Sequence, residues 1–487
     1  MSLRQLARAS ALYTFGNLAP KVGAFLLLPV YVRFLTQAEF GTLAIVSSLS
    51  GVLGILYRLG LDGSLMRLHF DLSAGERHRL YGSVLVFTLA AAATLSILAV
   101  VMLGPLFGFL FPAVPFVPLG ILGIAIALAA AAQFVPATLF RATGQAGRFV
   151  LYNFGGFLLV SVLTVILVVA GFGVGGVLTA QLIGAVLLFA VAVIVVARLG
   201  AIRLDSGIIR EALQVGLPLV PHAISGWALR LSDRWLIPLL IALPQVQALA
   251  AVGAYSLGYQ LGYVVSLVVT SVNAAWSPWF FRFGREDWGP AVYREMVSVV
   301  TAGTIVLAVG MSVIAVELVT TIAGTSYASA ADVLPIIAFA SVAQGMYVMF
   351  SSVIFLAKAT RRLAILTFIA ASLNVALNLA LIPLLGIVGA AWSTAAAYAF
   401  FALAAYLYGR TLYPIRIDVV RIALLLVVGI GAIWIGRLVP ADAGLVADFL
   451  AHLLLALAYA GVAILIVMSP ARRLRGLMAR AGASALA

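Results

Sequence analysis

Long apolar runs recur along the whole chain, separated by short polar turns. A helix needs about 20 mostly apolar residues to cross a bilayer, and on that rule the pattern predicts fourteen spans. They lie at 11–34, 40–61, 80–104, 115–140, 148–170, 174–197, 212–241, 251–281, 296–320, 332–357, 363–383, 386–409, 417–438 and 446–469. Leu18–Leu43 shows the unit of the pattern. An apolar run carrying Lys21 ends in the polar turn Thr36-Gln37-Ala38-Glu39, and a second run opens at Phe40-Gly41. The first run is full length and lacks a small-residue cleavage site, so it reads as a retained span. No connection is long enough to hold a soluble catalytic domain.

The pattern also repeats internally. Phe40-Gly41-Thr42-Leu43 is echoed 212 residues later by Val252-Gly253-Ala254-Tyr255. Gly144-Gln145-Ala146-Gly147-Arg148 is echoed at 213 by Ala357-Lys358-Ala359-Thr360-Arg361, and Gly173-Val174-Gly175-Gly176 at 213 by Gly386-Ile387-Val388-Gly389. The predicted fold is an all-α polytopic membrane protein. It has a six-helix lobe at 1–200, a second in the same orientation at 201–413, and two added helices with a basic tail at 414–487.

Charge sets the orientation. With the N-terminus in the cytoplasm, 24 of the 29 Lys and Arg residues fall on the cytoplasmic side. Only Arg33, Arg230, Arg234 and Arg437 fall opposite, and Lys21 lies inside a span. A split held at every loop follows the positive-inside rule and puts both termini in the cytoplasm. Composition agrees: 64% of residues are hydrophobic and 9% charged, with a mean hydropathy of +1.20. The net charge of +14 sits singly or in small groups between spans, which argues against a nucleic-acid groove. There are no cysteines, and the four histidines have no metal-ligand spacing, so no cofactor is expected.

A charge inside a span is costly and normally faces a cavity or a partner. Lys21, between Pro20 and Gly23, reads either as a cation lining a water-filled, anion-binding cavity or as half of a packing ion pair. Arg58 and Arg67 flank RLGLDGSLMR, where Gly60 and Gly63 can break the helix. They form a cationic mouth suited to phosphate, which a guanidinium grips with two N–H groups, or else they are anchors, as Arg77 and Arg79 are. In the seventh span Arg230 and Arg234 share a helix face with Asp233 nearby, giving a cavity site, a gate pair or a satisfied salt bridge. His222, on the same span, reads as a hydrogen-bonded core residue or as a proton carrier. Asn374 and Asn378, four residues apart, could join Asp233 and Thr394 as oxygen ligands of a sodium ion, or simply tie helices together. Glu39 and Glu317 read as interfacial.

The set YVRFLTQAEFGTLAIV, Gly60-Leu61 followed by Arg67, Asp233-Arg234, and Asn374/Asn378 with Ile382-Pro383, Gly386 and Gly389-Ala390 resembles the polysaccharide-export flippases of the MOP superfamily, the Wzx-like group, over about residues 10–410. Lipid II flippases and MATE drug exporters are relatives of that group. The resemblance implies two six-helix bundles forming a V around a cavity that opens alternately to each side of the inner membrane. It implies a polyprenyl-diphosphate-linked oligosaccharide as cargo, held by Lys21, Arg58, Arg67, Arg230 and Arg234, with polysaccharide polymerase or assembly proteins as partners. Helices thirteen and fourteen could line a groove for the lipid tail. Asn378 is neutral where a carboxylate would make a stronger cation site, and sodium and proton coupling both stay open. A drug antiporter would need cavity carboxylates, whereas here the buried excess is positive, and a glycan polymerase or ligase would need a large outer loop with charged catalytic residues, which the chain lacks. A cysteine introduced within Gly104–Pro118 is expected to react with a membrane-impermeant maleimide from outside intact cells. Labelling only after permeabilisation would overturn the topology.

Overall fold

The computed structural model describes residues 3–199, 202–438 and 444–484. The anchoring arginines Arg4, Arg8, Arg472, Arg473, Arg475 and Arg480 lie outside the residues whose side chains are described. Every regular element among the described residues is helical, as a chain in hydrocarbon requires, because only helices and closed barrels satisfy their own backbone there.

Twelve of these helices are long and apolar enough to cross a membrane. Thr360–Leu412 accounts for two predicted spans, because Gly386 adopts φ 61° and ψ −136° within it. Asn374 Nδ2 lies 3.4 Å from Thr394 Oγ1; twenty residues along a straight helix would part them by about 30 Å. The seventh predicted span is present but segmented into Ser206–Gly216, Leu217–Leu219, Val220–Leu231 and Asp233–Leu240, and is too broken to count among the twelve. The structure is therefore consistent with fourteen spans.

The chain divides into two compact units, Met1–Gly253 and Ala254–Ala487. In the first unit, Gln37–Arg58 begins at a capping box. Thr36 Oγ1 accepts from Glu39 N at 3.2 Å, and Glu39 Oε2 accepts from Thr36 N at 2.9 Å. Two otherwise orphaned donors are thereby satisfied. This helix crosses Gln245–Gly262 at the repeat-related glycines. A Cβ on Gly41 would lie 2.0 Å from the Leu249 carbonyl oxygen, and one on Gly253 2.1 Å from that of Gln37. Backbones can approach this closely only without side chains between them.

The second span ends at Leu59 and Gly60, both left-handed (φ 47° and 74°), and the chain restarts as Leu61–Asp71. A Cβ on Gly60 would lie 2.0 Å from the Gly216 carbonyl oxygen. Gly60 thus serves both the break and the packing of the segmented seventh span against it. Gly60→Ala is expected to cost about 2 kcal/mol or more, since the left-handed backbone alone costs an L-residue about 1–2 kcal/mol and the clash adds to it. Thermal unfolding in detergent should show this, and Gly63→Ala, whose Cβ would meet only the tip of Leu219 at 3.0 Å, should be far milder.

Candidate anion-binding site

The break at Leu59–Gly60 brings a guanidinium into a cavity of about 480 Å³ within the first unit. Arg58, Asp62, His222, Ser50 and the backbone of Gly51 and Gly54 line it, with Ile126 and Ala127 forming part of the wall. Arg58 is half-buried, and its guanidinium carbon lies 5.9 Å from the centre of the Phe134 ring, within cation–π range. Arg58 Nε and His222 Nδ1 are both buried without a hydrogen-bond partner in the chain. Buried polar atoms are nearly always paired, so two on one cavity mark it as a place built for a polar guest. The cavity holds one cation and one carboxylate besides the imidazole.

Lys21 stands elsewhere. Gly16 and Gly23 face the fifth span, where a Cβ would lie 3.0 Å from Phe149 and 2.3 Å from Phe157 respectively. At about 100° per residue, Lys21 sits about 140–160° round the helix from them. It is exposed and points away from that neighbour. Among the described residues of its unit, no ion pair or hydrogen bond engages Lys21. Arg67 is exposed too, and lies 3.6 Å from Asp71 one turn along.

Arg230 and Arg234, expected on one face, differ in exposure although Ser232 between them stays in the right-handed helical region (φ −62°, ψ −28°). Trp235 N bonds to Ser232 O at 2.9 Å, which frees the Leu231 carbonyl to accept from Ser48 Oγ at 3.5 Å, while Trp227 Nε1 donates to Ser48 O at 3.0 Å. Arg230 is exposed and donates to its own helix at Gly226 O, 2.9 Å. Arg234 turns inward, donates to Arg230 O, and lies 3.9 Å from Asp233, both side chains nearly fully covered. In the second unit, Asn378 Nδ2 donates to Asn374 Oδ1 at 3.2 Å and Asn374 Nδ2 to Thr394 Oγ1 at 3.4 Å. These three form a fully buried chain across the hairpin. The described residues hold no group of three or more His, Cys, Asp or Glu able to bind a metal ion.

Glu317 is buried and paired. Its Oε1 lies 2.8 Å from His452 Nδ1, with both side chains under 10% exposed. His452 Nε2 lies 2.9 Å from Gly436 O. A carbonyl only accepts, so Nε2 donates to it. The pair ties Ala315–Ala323 to both C-terminal helices. Sequence reading passed over it because 135 residues separate the partners.

A family model described as "Polysaccharide biosynthesis protein" matches residues 30–332. No curated protein matches the chain. Among solved structures, the lipid II flippase MurJ in an inward closed conformation is 15% identical with a TM-score of 0.67, covering 95% of this chain and 98% of its own. A MATE transporter from Vibrio cholerae is 18% identical with a TM-score of 0.53, covering 84% and 96%. A MATE transporter in complex with MaD3S is 16% identical with a TM-score of 0.54, covering 84% and 95%. At these identities the likeness is one of fold.

Removing either member of the Glu317–His452 pair strands its partner in a buried site, so Glu317→Ala and His452→Ala are each expected to cost about 3–5 kcal/mol. The double variant should be destabilised by about 1–3 kcal/mol less than the sum. Additive losses in thermal unfolding would show that the two do not interact.

Proposed function

Because the chain belongs to the family of polysaccharide biosynthesis proteins, we propose that it is a transporter that flips a polyprenyl-diphosphate-linked oligosaccharide from the inner to the outer leaflet of the cytoplasmic membrane. Alternating access moves the cargo, and both termini stay in the cytoplasm. The protein works as a carrier, with no chemical step. The single observation that supports the anionic cargo is the Arg58 cavity, where a guanidinium edge and an imidazole nitrogen are buried without partners in the chain.

In this reading Arg58 grips a phosphate of the diphosphate, His222 donates a second bond, and the lipid tail stays in the bilayer. Lys21, turned away from its own unit's fifth span, supplies a second cation to the cargo's path. Arg67 and Arg230, both exposed, serve at the edges of that path. Arg234 acts through its buried pairing with Asp233, holding the broken helix in shape. Asn374, Asn378 and Thr394 act as a tie across the hairpin, which leaves a proton as the simpler coupling ion than sodium. The assembly partners are the polymerase or ligase enzymes that consume the flipped product.

A second reading, flipping of lipid II, is favoured by the fold likeness to a lipid II flippase over nearly the whole chain. The two readings share a diphosphate and differ in the glycan. A drug antiporter fits less well, because cations outnumber carboxylates among the charged positions inside the spans.

Proteoliposomes carrying either labelled lipid test this. Charge-assisted hydrogen bonds contribute about 1.5–3 kcal/mol, so Arg58→Gln should slow flipping about tenfold or more with unfolding temperature unchanged, and Lys21→Ala should also slow it. Wild-type rates in Arg58→Gln would remove the cavity from the cargo's path, and a rate only with lipid II would decide for the second reading.

A further inference from the structure

A second cavity of the first unit, of about 470 Å³, lies at the ends of several helices, on the face that the charge pattern puts in the cytoplasm. Arg77, Arg148, Arg198, His69 and His78 line it, over an apolar floor that includes Leu139, Val195 and Leu199. These residues come from four separate stretches: the helix Leu61–Asp71 after the second span, the start of the third span, the end of the fourth with the turn to the fifth, and the end of the sixth. Positive-inside anchoring places arginines at such ends but does not require them to converge.

No carboxylate lines this cavity, and the acids nearest in sequence are engaged elsewhere. Asp62 lines the Arg58 cavity. Asp71 lies 3.6 Å from Arg67. Glu76 accepts from Ser73 N at 3.0 Å. Asp205 caps the next helix, accepting from Gly207 N at 3.0 Å and Ile208 N at 3.2 Å, and pairs with Arg79 at 3.4 Å. Among the described residues, two of the three cavity arginines bond to neutral groups and no carboxylate pairs with any of the three. Arg77 Nε donates to Leu72 O at 2.9 Å, and Arg148 to Gln145 Oε1 at 2.6 Å, leaving further N–H groups on each guanidinium. His69 is set within the wall by a 2.8 Å hydrogen bond between its Nδ1 and Tyr81 Oη. Like charges held together without a counter-ion repel each other, and a fork-shaped donor set answers a phosphate.

We propose that this cavity is a second anion site, separate from the Arg58 cavity, that binds a phosphate-bearing group at the cytoplasmic face. The apolar floor beside the arginines suits the headgroup of an anionic membrane lipid, since basic pockets between spans on this side recognise such headgroups. A soluble phosphate shares the same chemistry.

The full-length protein in nanodiscs distinguishes the sources. Native mass spectrometry should show phosphatidylglycerol retained in preference to phosphatidylcholine. In Arg148→Gln/Arg198→Gln, which keeps the Arg77 contact to Leu72, retention should fall about tenfold or more. The charge-matched control Arg361→Gln/Arg410→Gln, on exposed arginines of the other unit, should retain the lipid. If the protein shows no lipid preference but inorganic pyrophosphate raises its unfolding temperature, and the double variant abolishes that rise, the site stands with a soluble occupant. Equal loss in the double variant and the control would reduce the effect to general surface charge and overturn the site, as would no response to either anion. Should the double variant fold poorly, Arg198→Gln alone carries the same comparison.

Discussion

Carboxylates are the limiting resource of this chain: 15 acidic residues face 29 basic ones. In a low-dielectric setting each cation needs an answering group, so the acids decide which cations remain available. Several are committed to structure. Glu39 closes a capping box, Asp205 caps a helix and pairs with Arg79, Asp233 is buried beside Arg234, and Glu317 holds His452. What is left over is positive and concentrated. Arg58 faces its cavity with Asp62 alone, and Arg77, Arg148 and Arg198 face theirs with no acid. The second proposed anion site follows from this shortage.

Helix breaks turn that surplus into geometry. A continuous helix in lipid satisfies its own backbone and can only present side chains outward. At Leu59–Gly60 the chain adopts left-handed backbone, which ends one helix at Arg58 and starts another at Leu61, so the guanidinium and Asp62 enter one cavity from either side of the break. At Ser232 the slip of the backbone frees the Leu231 carbonyl, and Ser48 takes it. The carbonyl of Arg230 is met by the side chain of Arg234. The freed backbone groups are thus re-satisfied by side chains, and the broken span stays in place.

The spans were legible because hydrocarbon imposes a length and a composition on each one, independent of its neighbours. The turn at Gly386 was legible for the same reason: two span-lengths of apolar residues flank it. The charged positions inside spans were equally visible, since each is costly wherever it stands. Their roles were not. Arg230 and Arg234 sit four apart on a helical wheel, yet one is exposed and the other buried. Arg77 and Arg148 look like ordinary anchors along the chain, and only their convergence with Arg198 makes a cavity.

The sequence by itself determined the membrane fold, the helix pattern, the internal repeat and an excess of cations over the acids able to answer them, because these depend on composition and local spacing. Only the tertiary structure decided which cation meets which acid. Pairings such as Glu317 with His452 bring together residues 135 positions apart in the sequence, and no local spacing encodes a contact set by how helices pack.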